Sequence, residues 1–243
     1  VIISTPGPMG LIALLATKLF HIKSIGIYHT DFRLQTNSIR EDASLVNMVD
    51  GFTNWFYQQL DEVYVPSHSY IDILEKRGIK FKKTKIFPRG IEYDKFYPKN
   101  QGRSYLMNRY GINKGKILLY TGRISKDKNL EIILKAVREL QKKYKDLYLL
   151  LVGDGPFREG WEKEYANSKI IFTGKIERDQ LPNYYSGADL FLFPSTTDTY
   201  GMSVLEAQAC CLVAFVSSEG GPKEIIEDKK TGLVIPTLDV NYW

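Results

Sequence analysis

A glycine turn that carries two cations follows an apolar run in the second half of the chain. The segment 121–129 (TGRISKDKN) comes directly after a predicted strand at 117–120. Ligands of open α/β sheets bind outside the carboxyl ends of the strands, where Arg123 and Lys128 stand. Charge-assisted hydrogen bonds are about twice as strong as neutral ones, so this pair of cations suits a pyrophosphate. Taken alone, the segment also fits a solvated loop that caps a helix.

A second candidate anion site follows the apolar run 190–193. The segment 194–201 (PSTTDTYG) ends in Gly201 at the start of a predicted helix, whose first backbone N–H groups and dipole attract anions. Two carboxylates flank this position, Asp198 in the loop and Glu206 in the helix, and a carboxylate can accept hydrogen bonds from the vicinal hydroxyls of a sugar. Glu206 stands among apolar residues, so we expect it to be half buried and to need a partner. A helix-surface glutamate is the alternative.

Two further glycine turns follow predicted strands, at 153–156 (GDGP) and 218–222 (SEGGP). Gly153 and Gly155 lack the third glycine of a dinucleotide fingerprint, which argues against an NAD(P) enzyme. Each turn alone also fits a tight connection between a strand and a helix. Four such turns at four strand ends predict a floor that a ligand can approach closely.

Short apolar runs alternate with helical patterns along the whole chain, which is typical of βαβ units with a parallel sheet. Predicted strands lie near 1–4, 24–28, 62–65, 85–87, 117–120, 148–152, 170–173, 190–193, 213–216 and 233–235. Predicted helices lie near 8–20, 38–59, 67–77, 129–144, 157–166, 180–185, 201–210 and 222–227. The expected fold class is therefore α/β, with two Rossmann-like, doubly wound parallel sheets.

Turn and linker residues between 88 and 109 divide the pattern into two domains, 1–98 and 99–243. We expect about four strands in the first domain and about six in the second. The first domain is short for a doubly wound sheet, and the chain opens on a strand. We therefore expect the first domain to be incomplete.

Composition excludes several classes of protein. With 44% hydrophobic and 25% charged residues, the 243-residue chain is that of an ordinary soluble protein, and its apolar runs are shorter than the roughly 18 residues that a membrane span needs. The adjacent Cys210 and Cys211 fit a reducing cytoplasm, and the histidines and cysteines lack metal-ligand spacing, so no metal site is expected. A basic stretch at 80–89 (KFKKTKIFPR) fits either a solvated strand edge or a contact with anionic lipid or phosphate. No basic face with interleaved aromatics predicts a nucleic-acid partner.

Taken together, the motifs resemble the retaining glycosyltransferases of family 4, in that family's order and spacing over nearly all of 116–236. The resemblance is carried by Gly122-Arg123…Lys128, Gly153-Asp154-Gly155-Pro156, Asp198-x7-Glu206, Ala207-Gln208-Ala209 and Gly220-Gly221-Pro222-Lys223-Glu224. It implies the GT-B fold, with 1–98 as part of an acceptor-side Rossmann-like domain and 99–243 as the domain that binds a nucleotide-sugar donor.

The resemblance also implies a role for each donor-site residue. Arg123 and Lys128 would hold the donor diphosphate, Glu206 the ribose hydroxyls, and Asp198 the hydroxyls of the transferred sugar. The remaining donor contacts would come from Tyr200, Gly201, Met202, Gly153 and Gly155. Asp198 departs from the family, in which a glutamate stands there, and its context is familiar from mannosyl- and glycolipid-synthesising members.

The first domain resembles the same family less specifically, over 6–98. The segment 28–32 (YHTDF) matches the place of a family histidine near the transferred sugar, which makes His29, with Asp198, a candidate catalytic residue. A structural histidine is the alternative. The segment 89–92 (RGIE) looks like the turn that precedes the family's interdomain linker.

The implied reaction is transfer of a hexosyl group, such as mannosyl or glucosyl, from a nucleoside diphosphate sugar to a lipid or glycan hydroxyl with retained configuration. The sequence contains no Asp-x-Asp, so a metal-dependent GT-A enzyme is not expected, and neither is a cofactor. The expected location is the cytoplasm, including the inner face of the membrane. Two alternatives stay open: a nucleotide-sugar epimerase of the same architecture, and an inactive fragment that still binds nucleotide sugar, because the family's first strands and closing helices are not found.

Overall fold

The computed structural model describes residues 1–33, 36, 42–87, 89–236 and 238–243. These residues form two compact units, Val1–Arg89 and Gly90–Trp243. Each unit contains one parallel β-sheet, which confirms the predicted α/β class. Part of the predicted helix at 38–59 lies outside the described residues, and the described helix begins at Ala43.

The sheet of the first unit has four parallel strands in the order β1-β2-β3-β4. The strands are β1 (Ile2–Ile3), β2 (Ile25–Ile27), β3 (Glu62–Val65) and β4 (Thr84–Ile86), and the helices are α1 (Pro8–Leu19), α2 (Ala43–Gln58) and α3 (His68–Lys76). Side-chain oxygens cap two of these helices: Asp42 accepts from the backbone of α2, and Ser67 accepts from the backbone of α3. Such caps satisfy backbone donors that a helix start leaves unpaired.

A buried aromatic and aliphatic cluster forms the core of the first unit. Its largest members are Tyr28, Phe56, Tyr57, Leu60 and Tyr70. The basic stretch at 80–89 includes β4. Nζ of Lys83 lies 2.9 Å and Nζ of Lys85 lies 3.5 Å from the Glu62 carboxylate. At these two positions, the lysines take part in ion pairs at a strand edge.

The sheet of the second unit has six parallel strands in the order β10-β9-β8-β5-β6-β7. The strands are β5 (Lys116–Thr121), β6 (Leu147–Val152), β7 (Ile170–Gly174), β8 (Leu190–Phe193), β9 (Ala214–Ser217) and β10 (Gly232–Ile235). The chain runs outward from β5 to β7 and then returns to lay β8 on the other side of β5. This topological switch point opens a crevice at the carboxyl ends of β5 and β8, which is the usual ligand site of such sheets.

Five α-helices cover this sheet within the described residues. They are α4 (Gly102–Tyr110), α5 (Leu130–Lys143), α6 (Arg158–Glu164), α7 (Leu181–Gly187) and α8 (Met202–Ala209). The buried positions of α5 recur at helical spacing, at Leu130, Ile133, Leu134 and Val137, so one face of the helix packs on the core. The strands themselves are almost continuously buried, as expected for a parallel sheet covered on both faces.

The segment that the sequence predicts to be a linker contains a helix. Helix α4 begins at Gly102, inside the predicted break, and only Gly102 and Leu106 of this helix are buried, so its sequence carries no amphipathic stripe. The compact units divide after Arg89, ahead of the predicted boundary at 98/99, because the side chain of Phe96 is fully buried in the second core. The predicted helix at 222–227 is a single 3₁₀ turn, Pro222–Glu224.

Candidate functional site

A cavity of about 930 Å³ lies at the carboxyl ends of β5 and β6 in the second unit. Its lining includes five of the residues expected in a donor site, namely Arg123, Gly153, Gly155, Met202 and Glu206. These residues come from two loops and a helix that are distant in sequence. The strand order brings them together, because β5 and β6 are neighbours and α8 follows β8 on the other side of β5.

Two glycine turns cross at the floor of the cavity. Gly153 has a φ of 140°, and a Cβ atom placed there would lie 1.9 Å from the carbonyl oxygen of Gly122. Only glycine allows this backbone conformation and this close approach. The Gly153 N–H donates to the carbonyl of Gly174 at 2.9 Å, which ties the turn after β6 to the end of β7.

Glu206 projects into the cavity from the middle of α8, and its side chain is only 6% exposed. One carboxylate oxygen, Oε2, accepts a 2.9 Å hydrogen bond from the hydroxyl of Tyr185, and the other, Oε1, lies 3.1 Å from Nη1 of Arg178. Burial raises the pKa of Glu206 above the ordinary glutamate value, while the Tyr185 hydrogen bond and the Arg178 charge oppose this rise. The sequence analysis expects a partner for this carboxylate, and the structure provides two, Tyr185 and Arg178.

The hydrogen bonds behind Glu206 have a defined direction. The Tyr185 hydroxyl donates its hydrogen bond to Glu206. The hydroxyl of Thr121, 2.7 Å away, therefore donates to the Tyr185 oxygen. Burial raises the pKa of Tyr185 far above that of an ordinary tyrosine, so its hydroxyl remains a donor. Two successive hydrogen bonds thus link Thr121 in β5, Tyr185 in α7 and the Glu206 carboxylate in α8.

Arg178 was missed by the sequence analysis, as were Tyr185 and Glu92. Arg178 precedes α7 and reaches both Glu92 and Glu206, with Nη2 3.1 Å from the Glu92 carboxylate. No spacing links these three positions, since they lie in separate loops and a helix. Only Tyr185 had a signal, as an aromatic side chain in a short helix that must bury one face.

Lys128 and Asp198 form a direct ion pair beside the cavity, with Nζ 2.8 Å from Oδ2. Their side chains are 14% and 26% exposed, and the Lys128 ammonium is also 3.4 Å from the Thr197 hydroxyl. Among the described residues, neither Lys128 nor Asp198 belongs to the lining of the cavity. The structure thus brings these two predicted residues to each other.

Arg123 stands at the mouth of the same turn. Its side chain is 46% exposed, and its Nη2 lies 3.5 Å from Oδ2 of Asp127. The hydroxyl of Tyr120 donates to the Arg123 carbonyl at 3.0 Å, which fixes the backbone of the turn. The guanidinium is therefore available to an anion at low cost, since its existing ion pair is long and solvated.

The start of α8 forms the remaining edge of the site. Gly201 is the N-cap with a left-handed φ of 97°, and as a glycine it has no side chain that could accept from the first backbone N–H groups. Met202 and Ser203, the first two residues of α8, line the cavity. Tyr200 and Gly201 lie next to them in the chain but are not part of the lining within the described residues.

His29 lies in the first unit, directly after β2. It is half buried, and its Nδ1 atom is 3.3 Å from the carbonyl oxygen of Ile27. This contact ties the ring to the preceding strand. The assignment of His29 to the transferred sugar stays a prediction.

The described part of the chain contains no group of three or more His, Cys, Asp or Glu side chains that could hold a metal ion. It also contains no helix with the length and hydropathy to span a membrane. Cys210 is buried and Cys211 is exposed, and both are free thiols.

Comparison with known proteins places these features in a family. The family described as "Glycosyl transferases group 1" matches residues 104–241 of the chain, which include β5 to β10. The chain is 30% identical to the alpha-monoglucosyldiacylglycerol synthase of Streptococcus pneumoniae over 233 residues, which are 92% of the chain and 53% of that protein. It is 29% identical over 165 residues to the GDP-mannose-dependent alpha-(1-6)-phosphatidylinositol monomannoside mannosyltransferase of Mycolicibacterium smegmatis, which are 63% of the chain and 43% of that protein.

The fold is similar to that of sucrose-phosphate synthase from Thermosynechococcus elongatus, with a TM-score of 0.80 and 26% sequence identity. The match covers 96% of the chain and 59% of that structure, and the chain spans about half the length of the two curated relatives. The two parallel α/β sheets match GT-B glycosyltransferase structures and cover part of that fold. The family match, the fold and the motifs agree, and the chain belongs to the group 1 glycosyl transferases.

Proposed function

We propose that this chain contains the donor site of a retaining glycosyltransferase, which moves a hexosyl group from a nucleoside diphosphate sugar to an acceptor hydroxyl. The observation that carries the proposal is the buried carboxylate of Glu206 in a cavity that also has a glycine floor, an arginine and a helix start. A buried carboxylate suits a diol, while arginine and free backbone N–H groups suit a diphosphate. Nucleoside diphosphate sugars combine both groups.

In the proposed complex, Glu206 accepts hydrogen bonds from the ribose hydroxyls, and Arg123 contacts the diphosphate. The start of α8, at Gly201 and Met202, offers backbone N–H groups to the phosphate and the sugar. The backbone of Tyr200 extends this edge, and Gly153 with Gly155 keeps the floor open.

Lys128 and Asp198 would act as a pair at the transferred group. When a donor binds, the Lys128 ammonium turns to the diphosphate, and the Asp198 carboxylate accepts from sugar hydroxyls. His29 is proposed to act near the same sugar, a role that rests on the family motif around 28–32.

We also propose that the reaction needs no metal ion. The leaving diphosphate gains negative charge, which Arg123, Lys128 and the helix dipole, worth about half a unit charge, can stabilise. The same charges would hold the diphosphate product in place once the glycosidic bond has formed.

The acceptor is proposed to be a lipid or glycan hydroxyl. The names of both relatives contain a lipid, monoglucosyldiacylglycerol as the product of one and phosphatidylinositol monomannoside in the other, which favours a lipid acceptor. A lipid acceptor would place the enzyme at a membrane surface, for which the cytoplasmic face is proposed. Both relatives are named as a synthase or a transferase, which gives no support to the epimerase alternative.

Calorimetry on the full chain tests the donor site, with UDP, GDP and inorganic pyrophosphate as probes in excess EDTA. We expect at least one nucleotide to bind. Arg123→Met should weaken the binding of that nucleotide and of pyrophosphate by about 1.5–3 kcal/mol, toward the lower figure because Arg123 is exposed. Glu206→Ala should weaken the binding of the nucleotide and leave that of pyrophosphate unchanged.

Lys135→Met, on the exposed side of α5, is the matched control for loss of a cation. Binding that disappears in EDTA, or an equal loss of nucleotide and pyrophosphate in Glu206→Ala, contradicts the donor-site assignment. Turnover of UDP-glucose and GDP-mannose on vesicles that contain diacylglycerol or phosphatidylinositol monomannoside then separates a transferase from a protein that only binds its donor.

A further inference from the structure

Arg178 is held on three sides in the second unit. Its Nε and Nη2 atoms lie 3.2 and 3.1 Å from Oε2 of Glu92, and its guanidinium carbon lies 5.0 Å from the centre of the Phe96 ring. The remaining nitrogen, Nη1, lies 3.1 Å from Oε1 of Glu206. The guanidinium plane is thereby fixed, although 51% of the side chain is exposed. A planar fork loses little freedom for each such contact, which suits it to orient another group.

Among the described residues, each carboxylate oxygen of Glu206 has one polar partner. Oε2 accepts from the Tyr185 hydroxyl, and Oε1 faces Arg178. An ionised carboxylate has about four acceptor sites, so each oxygen retains the capacity for one more hydrogen bond. The carboxylate lines the cavity, where that capacity is available to a ligand.

We infer that Arg178 is a positioning residue, which keeps the Glu206 carboxylate charged and turned so that both of its oxygens can accept from the ribose hydroxyls of a bound nucleotide. The inference rests on the proposed donor site, in which Glu206 contacts ribose. It adds a residue from outside the family motifs of this chain, and one that acts through Glu206 without lining the cavity.

The charges around Glu206 explain why such a residue is needed. Burial raises the pKa of Glu206, and the negative charge of Glu92 adds to that rise, whereas Tyr185 and Arg178 lower it. Cys210, at the end of the same helix, has a pKa raised to about 11 by burial, so its thiol is uncharged at neutral pH. Without Arg178, the pKa of Glu206 would rise further. In a protonated carboxyl one oxygen becomes a hydrogen-bond donor, so the group loses acceptor capacity for the two ribose hydroxyls.

A pH series of nucleotide binding tests this role on the full chain. UDP, GDP and pyrophosphate are titrated by calorimetry into the wild type and Arg178→Met, from mildly acidic to mildly alkaline pH. The ratio of the two affinities cancels the titration of the phosphates themselves. We expect the variant to come closest to the wild type at alkaline pH, where only the orientation of Glu206 is lost. At acidic pH it should lose a further factor of about ten in nucleotide affinity for each unit by which the pKa has risen. Pyrophosphate should show a constant ratio.

Two variants complete the series. Arg178→Lys keeps the charge, so it should restore part of the acidic-range affinity. Arg138→Met is the matched control, because Arg138 also lies over an aromatic ring, 5.6 Å from the centre of Tyr165, without contacting Glu206. A loss in Arg178→Met that is the same at every pH, or no loss at all, overturns the inference.

The titration of the Glu206 carboxyl can also be measured by NMR without any ligand. The ¹³Cδ resonance of Glu206, assigned by its disappearance in Glu206→Gln, should titrate at a higher pH in Arg178→Met than in the wild type. An unchanged midpoint overturns the role of Arg178. Absence of nucleotide binding by the wild type would instead contradict the proposed function, and the resonance would still decide on Arg178.

Discussion

The ammonium of Lys128 lies 2.8 Å from the carboxylate of Asp198. The family motif assigns the first residue to a diphosphate and the second to a sugar, yet here each neutralises the other. A diphosphate would compete with Asp198 for the ammonium. Under the proposed function, donor binding would therefore exchange the Asp198 partner of Lys128 for a phosphate group.

Asp198→Asn should release Lys128 for the diphosphate. We expect the affinity for a nucleoside diphosphate to rise by about two- to fivefold, the worth of a partly exposed ion pair, while sugar transfer falls. Calorimetry and a turnover assay measure the two effects. Asp154→Asn is the control, since Asp154 lines the same cavity without contacting Lys128. An equal gain in Asp154→Asn would mean that general charge relief, and not the pair, is responsible.

Glu206 should make the second unit less stable as the pH rises. Its pKa in the folded chain lies above the ordinary value, so the folded state binds more protons between the unfolded and folded pKa values. The stability contributed by the protonated form is then present below the unfolded pKa and lost as the pH rises through the folded pKa. Glu206→Gln has no group that titrates there, so its stability relative to the wild type should increase over that window.

Urea unfolding at a series of pH values measures this difference. The chain has three tryptophans, and replacing Trp55 and Trp243 by phenylalanine leaves Trp161, which is buried in the second core, as the probe of this unit. A difference that stays constant with pH, or that falls as the pH rises, contradicts the prediction.

Glu62 in the first unit should change stability with pH in the opposite direction, so that its contribution is lost as the pH falls. Hydrogen bonds from Lys83 and Lys23 lower the pKa of Glu62 to about 2. Its stabilising contribution is therefore present above the ordinary glutamate pKa and is lost as the pH falls through about 2. Glu62→Gln should be less stable than the wild type at neutral pH and should approach it in strong acid.

This difference is read from Trp55 after replacement of the other two tryptophans. It should shrink in high salt, because the lysines that surround Glu62 are largely exposed and ions screen them. A difference that persists unchanged in strong acid would exclude the ion pairs as its cause.

Gly153→Ala should destabilise the second unit by about 1–3 kcal/mol, because its φ is unfavourable for alanine and the new methyl group meets the Gly122 carbonyl. Gly160→Ala is the matched control in α6, where a Cβ atom meets nothing within 4 Å. That variant should gain up to about 1 kcal/mol from helix propensity. Urea unfolding measures both, and a neutral Gly153→Ala would show that the turn can shift.

The sequence predicted the strands well because each of them is a short apolar run between turns, as at 147–152 and 190–193. Arg123, after β5, and Glu206, in the helix after β8, line one cavity, since the carboxyl ends of neighbouring parallel strands meet at one edge. Helix α4 was missed because its few buried positions give no periodic signal.

The partners of Glu206 were beyond the reach of the sequence. Arg178 and Glu92 meet only because Phe96 anchors its own segment in the second core, and no local pattern encodes on which unit a loop packs. The pairing of Lys128 with Asp198 was missed for a related reason. Both were assigned to a ligand, although opposite charges with little exposure also stabilise each other when they are close in space.

The adjacency of β5 and β8 also has a kinetic consequence. Leu118 pairs with Leu190, so this contact closes a long loop of chain that contains β6 and β7. Pairings that are distant in sequence form slowly, because the loop-closure entropy is lost before the contact compensates for it. The crevice forms only once that pairing is complete, so under the proposed function a donor nucleotide would bind folded chains and none of their partly folded precursors. Binding of the donor would then raise the fraction of chains that are folded.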